Sequence, residues 1–309
     1  MRIRLEALPA DVLGLGPTAR TAWSEGSVAG LPIVRTLADV PEPTEHLTTL
    51  ERAELVAGLR AGLAPHDPPA RVETSLNLLE EEGTACVVTG QQAGFLGGPL
   101  LTLLKAMQAC RLAADLAGRW GRPVVPIFWN HGDDHDWGEV AHAWIHNRNQ
   151  DLQKFALAAG EGAGRQPVSR LRLVDEVHDL RVLRAALSQA FEEHAHTADA
   201  MDLVFPREGE TLTTALTRTL TRLLGSHGLV VLEPDWVRPA LGRGLAHVLG
   251  SNPVEHLDEG PIDPARAALA FRVDARGRTA VRPAPEGFQV DGEPGGTTPA
   301  ELAAMALDD

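Results

Sequence analysis

A short acidic and histidine-rich stretch holds the side chains best suited to chemistry in this sequence. It reads Asn130-His-Gly-Asp-Asp-His-Asp136 and holds three carboxylates and two imidazoles within six residues. Side chains of these types can bind a cation, exchange protons with a substrate or hold a ligand amine. A solvated polar turn is the alternative explanation. Because the stretch follows an apolar segment and is matched by a second ligand-like loop, we interpret it as a candidate site.

That second loop reads Thr89-Gly-Gln-Gln-Ala-Gly94 and continues to Gly97-Gly98-Pro99. Free backbone N–H groups in such a loop, together with the positive end of a following helix dipole, favour an anionic ligand group. The glycine spacing matches neither the dinucleotide-binding nor the P-loop fingerprint. Glycines that serve only tight backbone geometry explain the pattern equally well. Lys105, in the second turn of the predicted helix, is conspicuous because Lys154 is the only other lysine.

Two predicted strands and a helix must position these loops. Cys86–Val88 is a short apolar run that predicts a buried strand ending at Thr89-Gly90, and Pro123–Trp129 predicts a second strand. Between them, Leu100, Leu103, Leu104 and Met107 repeat at helical spacing in a helix expected from Pro99 to near Gly118. A strand–helix–strand unit of this length makes the strands parallel. Both loops should therefore border one crevice at the carboxyl ends of the strands.

The rest of the chain continues this alternation, which predicts an α/β fold. A third apolar strand, Leu229–Leu232, ends in Glu233-Pro-Asp235 and should deliver these carboxylates to a sheet edge, which can be the same one. We divide the chain into a lead-in that packs on the core (1–66), the first half of the core (67–146), an insertion (147–206), the second part of the core (207–240) and a helical and β C-terminal segment (241–309).

Weaker patterns predict further elements. In the insertion, Leu152–Ala158 and Val168–Leu173 suggest a hairpin, and Asp179 can cap a helix. A turn-rich segment at 252–264 precedes strands expected near 269–273, 279–282 and 288–290. Thr298-Pro-Ala-Glu301 then predicts the capping box of a last helix, which we expect to be poorly anchored. The chain stops soon afterwards at Asp309, which suggests truncation.

A possible metal-binding face follows the acidic stretch. His135, Glu139, His142 and His146 would share one face of a helix if the helix continued that far, with Trp137, Val140, Ala141 and Trp144 opposite. Ordinary amphipathicity explains the same spacing. The sequence has no H-E-x-x-H motif and no paired cysteines, so we assign no metal ligand.

Composition limits the classes of partner. The chain carries 42 acidic and 28 basic residues, a net charge of −14, which disfavours nucleic acid and anionic membrane surfaces. No apolar run approaches the ~20 residues of a membrane span, and the N-terminus lacks a signal-peptide core. We therefore expect a cytoplasmic protein. Cys86 and Cys110 are expected to be reduced core thiols.

The two loops together resemble those of the BshC family, the cysteine-adding enzymes of bacillithiol biosynthesis. Thr89–Gly94 with Gly98-Pro99 and Lys105 resembles the family's T-G-Q-Q-x-G loop and helix, and Phe128–Asp136 resembles its F-W…G-E-D-H-D stretch. Asp133 stands where glutamate is usual. The resemblance is strongest over 80–146. It implies a Rossmann-like parallel core with connecting-peptide insertions, and the family's dimerising coiled coil has no evident counterpart here.

The resemblance also implies a reaction, in which cysteine is added to the amino group of glucosaminyl malate. ATP with Mg²⁺ is the expected cofactor for a ligase, although no motif here shows it. The candidate catalytic residues are Asp134, His135 and Asp136. The candidate binding residues are Thr89, Gly90, Gln91, Gln92, Gly94, Gly98, Lys105, Asn130, His131, Gly132, Asp133, Glu233 and Asp235.

Two other hypotheses fit the same residues. A protein that binds a sugar or nucleotide without chemistry would gather the same polar groups at a crevice. A metal-dependent hydrolase would use the histidine-rich face, and it is the less favoured of the two.

Overall fold

A three-stranded parallel sheet flanked by helices carries the candidate site. The structure is a computed structural model that describes residues 27–28, 31–32, 36–43, 49–191, 196–250, 270–274, 277–284, 287–293 and 296–305. Its strands are β1 (Ser27–Val28), β2 (Leu31–Pro32), β3 (Ala85–Gln92), β4 (Val124–His131), β5 (His142–His146), β6 (Leu152–Ala156), β7 (Val230–Leu232), β8 (Ala270–Asp274), β9 (Gly277–Ala284) and β10 (Gly287–Val290). Its helices are α1 (Thr49–Leu63), α2 (Ala70–Glu80), α3 (Leu100–Trp120), α4 (Trp137–Val140), α5 (Asp175–His178), α6 (Leu180–Ala190), α7 (Thr197–Val204), α8 (Leu212–Leu224), α9 (Arg238–Gly250) and α10 (Pro299–Met305).

The sheet has the order β3-β4-β7, and every pairing in it is parallel. Gln92 lies opposite His131 and Trp129 opposite Leu232, so all three strands end at one edge. The predicted strand–helix–strand unit, the third strand and the α/β class are confirmed. Strand β3 does not stop at Thr89-Gly90 as predicted. Gly90 continues the ladder because a Cβ there would lie 2.6 Å from the Trp129 carbonyl oxygen, which only glycine avoids.

Helix α3 covers one face of this sheet, but with a different face from the one we predicted. Leu100, Leu104 and Met107 are exposed, and the buried positions are mostly alanines, with Ala106, Ala109 and Ala113 among them. Small side chains allow the helix backbone to approach the strands closely, so the larger leucines are left facing outward. The helix also runs past Gly118 to end at Gly121, which takes the left-handed conformation with φ +65°.

Helices α1, α2 and α8 enclose the main core together with the strands. Leu59 and Leu63 of α1, Leu76 of α2 and Leu216 and Leu220 of α8 are each at most 1% exposed. Full burial of one such leucine contributes roughly 1.5–3 kcal/mol to the stability of the fold. These helices therefore hold the sheet that carries the site in place. These three helices span Thr49–Leu63, Ala70–Glu80 and Leu212–Leu224.

The insertion folds differently from the predicted hairpin. Strand β6 pairs antiparallel with β5, and residues 168–170 form a 3₁₀ turn. The Asn147 side chain explains this choice, because it accepts the N–H groups of Asn149 and Asp151 at 2.9 and 3.0 Å and closes a tight turn between β5 and β6. Asp179 does not cap α6 with its side chain, since it adopts the left-handed conformation with φ +53°.

The three predicted C-terminal strands are confirmed, and they form a separate antiparallel sheet, β10-β9-β8. The capping box at Thr298 is also confirmed, with the Thr298 N–H donating to Glu301 Oε2 at 2.8 Å. Helix α10 is better anchored than predicted, because Leu302 is buried with Val281 and Phe288. The turn-rich segment at 252–264 lies outside the described residues, as do residues 1–26. The proposed domain boundaries stay a prediction.

Candidate functional site

The predicted crevice lies at the carboxyl ends of β3 and β4. Gln92, the last residue of β3, donates from Nε2 to Asp134 Oδ2 and, at 3.3 Å, to Glu139 Oε2. Thr89, Gly90, Gln91, Gln92 and His131 help to line a cavity of about 560 Å³. Gln91 and Gln92 also line a neighbouring cavity of about 450 Å³ that reaches Gly94 and Gly98. The two sequence motifs therefore meet, and their contact is the Gln92–Asp134 hydrogen bond.

Asp134 is the most heavily hydrogen-bonded carboxylate in this crevice. Besides Gln92, it accepts the His135 N–H at 2.7 Å and Arg278 Nη1 at 3.0 Å, both at Oδ1. Desolvation opposes its ionisation, but these hydrogen bonds and the charge of Arg278 outweigh it and lower the pKa of Asp134 below its ordinary value. Asp134 is therefore an anion at neutral pH and suits the orienting of a cation or imidazole better than the donation of a proton.

His135 is the imidazole that Asp134 can orient. Its Nδ1 lies 3.5 Å from Asp134 Oδ1, and 40% of the side chain is exposed. Among the described residues Nδ1 has no hydrogen-bond partner. A carboxylate beside one ring nitrogen leaves the other nitrogen to exchange a proton with a ligand. Asp136 has a structural task, since its side chain accepts the Glu139 N–H at 3.1 Å and caps α4.

Behind the crevice, a buried hydrogen-bond chain joins the ends of β4 and β7. Asn130 is fully buried and donates from Nδ2 to Thr217 Oγ1 at 2.9 Å, and Thr217 donates to Glu233 Oε1 at 2.6 Å. Burial above all, with the charge of Asp235, raises the pKa of Glu233 from 4.5 to about 7 despite the Thr217 bond. Asn130 and Glu233 thus reach the predicted edge but lie inside the protein.

Arg238 connects the carboxylates of the two neighbouring strand ends. Its Nη2 donates to Asp133 Oδ1 at 2.9 Å and to Asp235 Oδ1. The third strand therefore delivers Asp235 to the same edge as Asp133, which the sequence left open. No motif marks Arg238 in the sequence, because its role follows only from the β4–β7 pairing.

Glycines in both loops of the crevice allow close packing of the backbone. A Cβ on Gly94 would lie 2.7 Å from Gly98 Cα, and one on Gly132 would lie 2.5 Å from Thr213 Cγ2. The N–H groups of Gly97 and Gly98 donate to the carbonyls of Gly94 and Phe95, each at 3.1 Å. The tight-geometry explanation is thus favoured for these glycines, since two loop N–H groups are already used within the loop.

Lys105 is also committed to the protein. Its ammonium group donates to the Gly90 carbonyl at 2.6 Å and to Gln91 Oε1 at 3.1 Å. These bonds fix the end of β3 and the orientation of the Gln91 amide. Lys105 therefore holds the crevice wall in place.

The structure decides two questions about reactive side chains: the histidine face that the sequence left open does not form, and the prediction of a core thiol is wrong for Cys86. The histidine face does not form, because only Trp137–Val140 is helical and His142–His146 is a strand paired with β6. Within the described ranges, no group of three His, Cys, Asp or Glu residues is placed to hold a metal ion. Cys86 is exposed, because it lies on the uncovered face of the edge strand β3, whereas Cys110 is partly buried.

Arg278, like Arg238, is a site residue that the sequence does not reveal. It reaches Asp134 from β9, although 144 positions separate the two residues. The Arg278 N–H also donates to the Arg165 carbonyl at 3.2 Å, so the C-terminal sheet rests against the insertion. The sequence holds no local signal for this contact, because it depends on how the two sheets pack.

The described helices include none that is both long and apolar enough to span a bilayer.

Comparison with known proteins adds a family match. Residues 36–247 match the profile described as "Bacillithiol biosynthesis BshC, N-terminal Rossmann-like domain". Relatives named "Putative cysteine ligase BshC" include those of Koribacter versatilis, 35% identical over 53% of this chain and 32% of the relative, and of Solibacter usitatus, 34% identical over 60% and 33%. The relative from Salinibacter ruber is 33% identical over 54% of this chain and 30% of its own. The chain thus matches about a third of the length of these relatives.

Proposed function

Because this chain belongs to the BshC family, we propose that it acts in bacillithiol biosynthesis as a cysteine ligase. The proposed reaction joins the carboxyl carbon of cysteine to the amino nitrogen of glucosaminyl malate as an amide. As the C–N bond forms, one C–O bond of the cysteine carboxyl group breaks, and its oxygen leaves as water or with the group that activates it. The observation that supports this most directly is the Gln92–Asp134–His135 arrangement, which places an amide, a carboxylate and an imidazole where two parallel strands end. Open α/β sheets bind ligands at such edges.

The chemistry assigns a task to each of these groups. An amine attacks a carboxyl carbon only as the free base, so a proton must leave the nitrogen. His135 accepts that proton in our proposal, and the carboxylate of Asp134 stabilises the imidazolium that results. Thr89, Gly90, Gln91, Gln92 and His131 line the adjoining cavity and hold the ligand. The catalytic role of Asp136 stays a prediction, as do the binding roles of the other candidate residues.

Activation of the cysteine carboxylate by ATP with Mg²⁺ is expected for a ligase. The glycine loop does not fit a triphosphate, because Gly97 and Gly98 donate within the loop and Lys105 is bound to Gly90 and Gln91. We therefore assign no residue to a nucleotide and route no step through one. Omission of ATP from the assay tests the expectation.

Formation of the amide tests the proposed function. The chain is incubated with cysteine, glucosaminyl malate and ATP, and the product is detected by mass spectrometry. We expect a product of the mass of bacillithiol whose rate saturates with the amine. Saturable binding of the amine without product would support the alternative, a binding protein without chemistry.

The setting of this function is part of the proposal. A cytoplasmic location and small-molecule partners, with no nucleic acid and no membrane, suit a biosynthetic ligase. We expect weak or no dimerisation of this chain, since residues 237–309 show no sustained heptad repeat for a dimerising coiled coil. A stable dimer in light scattering would contradict this expectation.

A further inference from the structure

Arg278 is held at the crevice by three contacts that leave part of its guanidinium unused. Its Nη1 donates to Asp134 Oδ1 at 3.0 Å, and its Cζ lies 3.6 Å from the centre of the Phe271 ring. Its backbone N–H is bound to the Arg165 carbonyl. Only 11% of the side chain is exposed, so these contacts fix the direction of the guanidinium plane.

The unused part is the edge formed by Nε and Nη2. Nε is buried and has no hydrogen-bond partner in the described part of the chain, and no described residue accepts a hydrogen bond from Nη2. A buried donor without a protein partner is unfavourable, so such a group can donate to a ligand or a water molecule. These two N–H groups point side by side and match the two oxygens of a carboxylate or phosphate.

The other strong cations at this edge are less suitable for an anion. Lys105 donates to Gly90 and Gln91 inside the wall. Arg238 faces both Asp133 and Asp235, and this group of three therefore carries a net negative charge that repels an anion. Among the described residues Arg278 pairs with one carboxylate, so its pair with Asp134 is neutral and can accept a further anionic group.

Two hydrogen bonds connect Arg278 to a residue that lines the ligand cavity. Asp134 receives Gln92 on Oδ2 and Arg278 on Oδ1, so one carboxylate separates the guanidinium from the glutamine that lines both cavities. We propose that the Nε/Nη2 edge of Arg278 binds an oxyanion of the substrate, either a carboxylate or a phosphate, at the carboxyl edge of the parallel sheet. The inference rests on the proposed function only where it calls this oxyanion part of a substrate.

Calorimetric titration of the 309-residue chain with malate, cysteine and inorganic phosphate as separate probes tests this proposal. R278Q should weaken the Kd of the bound probe by about tenfold or more. R278K keeps a positive charge beside Asp134 but loses the two-pronged edge, so it should lose most of the same affinity.

The matched control is R282Q, on the same strand. Arg282 lies four residues after Arg278 on β9 and donates from Nε to both carboxylate oxygens of Asp291 at 3.0 Å. Its substitution should change no Kd by more than about twofold. Circular dichroism of each variant establishes that it folds. A preference for malate or cysteine over phosphate identifies a carboxylate subsite, and the reverse preference identifies a phosphoryl subsite.

Two results would overturn the proposal. One is full retention of probe binding by R278K, which would mean that Arg278 only neutralises Asp134. The other is the absence of saturable binding of all three probes below about 20 mM. Because the readout is binding, a failure to form the amide would refute the proposed ligase and leave this result standing. Amide formation with an unchanged KM in R278K would contradict this inference alone.

Discussion

Two arginines of this protein each join a carboxylate from another segment, and they differ in how many of their donors the protein uses. Arg218, in the packing between α7 and α8, makes five hydrogen bonds: two to Glu210 and three to the carbonyls of Asp202, Leu203 and Phe205. Arg278, at the crevice, makes one side-chain hydrogen bond to the residues that the structure describes, to Asp134. A guanidinium has five N–H donors, so the first arginine is satisfied and the second is not.

The difference separates a structural region from a ligand-binding one. A buried ion pair whose hydrogen-bond donors are all used holds its two segments together and has no free donor for a ligand. A buried guanidinium with unused donors keeps its capacity for an incoming oxyanion. The same contrast holds for the carboxylates, because Glu210 has Arg218 beside it, whereas no cation of the described part of the chain pairs with Glu233. Stability should therefore depend most on the Arg218 region and ligand binding most on the Arg278 region.

Removal of Arg218 should give the largest loss of stability. R218A leaves Glu210 and three carbonyl groups without their buried donor, and we expect about 3–5 kcal/mol less free energy of unfolding. Urea unfolding measures it. R111A is the control, because Arg111 is 76% exposed in its pair with Asp115 and should cost less than about 0.5 kcal/mol. Equal losses of unfolding free energy in R218A and R111A would contradict the structural role of Arg218.

The buried carboxylates should respond to pH in opposite ways. Burial raises the pKa of Glu233 from 4.5 to about 7, so the fold favours its neutral form. The stability that this provides is complete below pH 4.5 and is lost as pH rises through 7, a loss on the order of 3 kcal/mol. E233Q keeps a neutral acceptor for Thr217 and should gain stability over the unsubstituted chain between pH 5 and 8 in urea unfolding.

Glu210 supplies the matched control for that pH series. Desolvation opposes its ionisation, but the hydrogen bonds and charge of Arg218 outweigh it and lower the pKa of Glu210. Its contribution is present at neutral pH and is lost as pH falls, so E210Q should destabilise the protein at pH 7. A stability difference between E233Q and the unsubstituted chain that did not change with pH would contradict the assignment of Glu233.

A smaller effect is expected at the glycine loop. G94A places a Cβ 2.7 Å from Gly98 Cα, a backbone contact that cannot rotate away, and should cost about 1–3 kcal/mol. G118A is the control, because a Cβ at that position of α3 meets nothing within 4 Å. In the helix interior it should stabilise the protein by about 0.5–1 kcal/mol. Thermal unfolding of both variants decides whether the loop is as tightly packed as described.

The smallest effect on stability should come from Arg278. R278Q leaves Asp134 with the Gln92 amide and the His135 N–H, so we expect a loss of only about 1 kcal/mol. Chemical unfolding beside R218A gives the comparison directly. A loss as large as that of R218A would place Arg278 among the structural arginines.

Local sequence was sufficient to predict the elements that present the site. Apolar runs before Thr89 and Asn130, with a helix between them, dictated a parallel pair and a shared edge, and both are confirmed. Residues that act through tertiary packing could not be predicted in this way. Arg238 and Arg278 are ordinary surface-type residues in sequence, and the buried state of Asn130 depends on Thr213 and Thr217 of α8.

The sequence patterns that the structure does not follow share one physical cause. The spacing of residues along the chain does not show which surface of the protein an element will pack against. The spacing of His135, Glu139, His142 and His146 fits a helix, yet pairing with β6 satisfies the backbone better and makes half of it a strand. The leucines of α3 fit an apolar stripe, yet the sheet selects the alanine face. Cys86 reads as a core residue, and only the edge position of β3 exposes it.

We expect amide formation to take place in the crevice between β3 and β4. The reaction rate of H135A measures whether it does. His135 lies 3.5 Å from Asp134, whereas His146 is exposed at the end of β5 and provides a control of the same residue type. With cysteine, glucosaminyl malate and ATP at saturation, mass spectrometry should show a loss of about 10²–10⁴-fold in H135A and none in H146A. A rate for H135A within twofold of the unsubstituted chain would contradict the account.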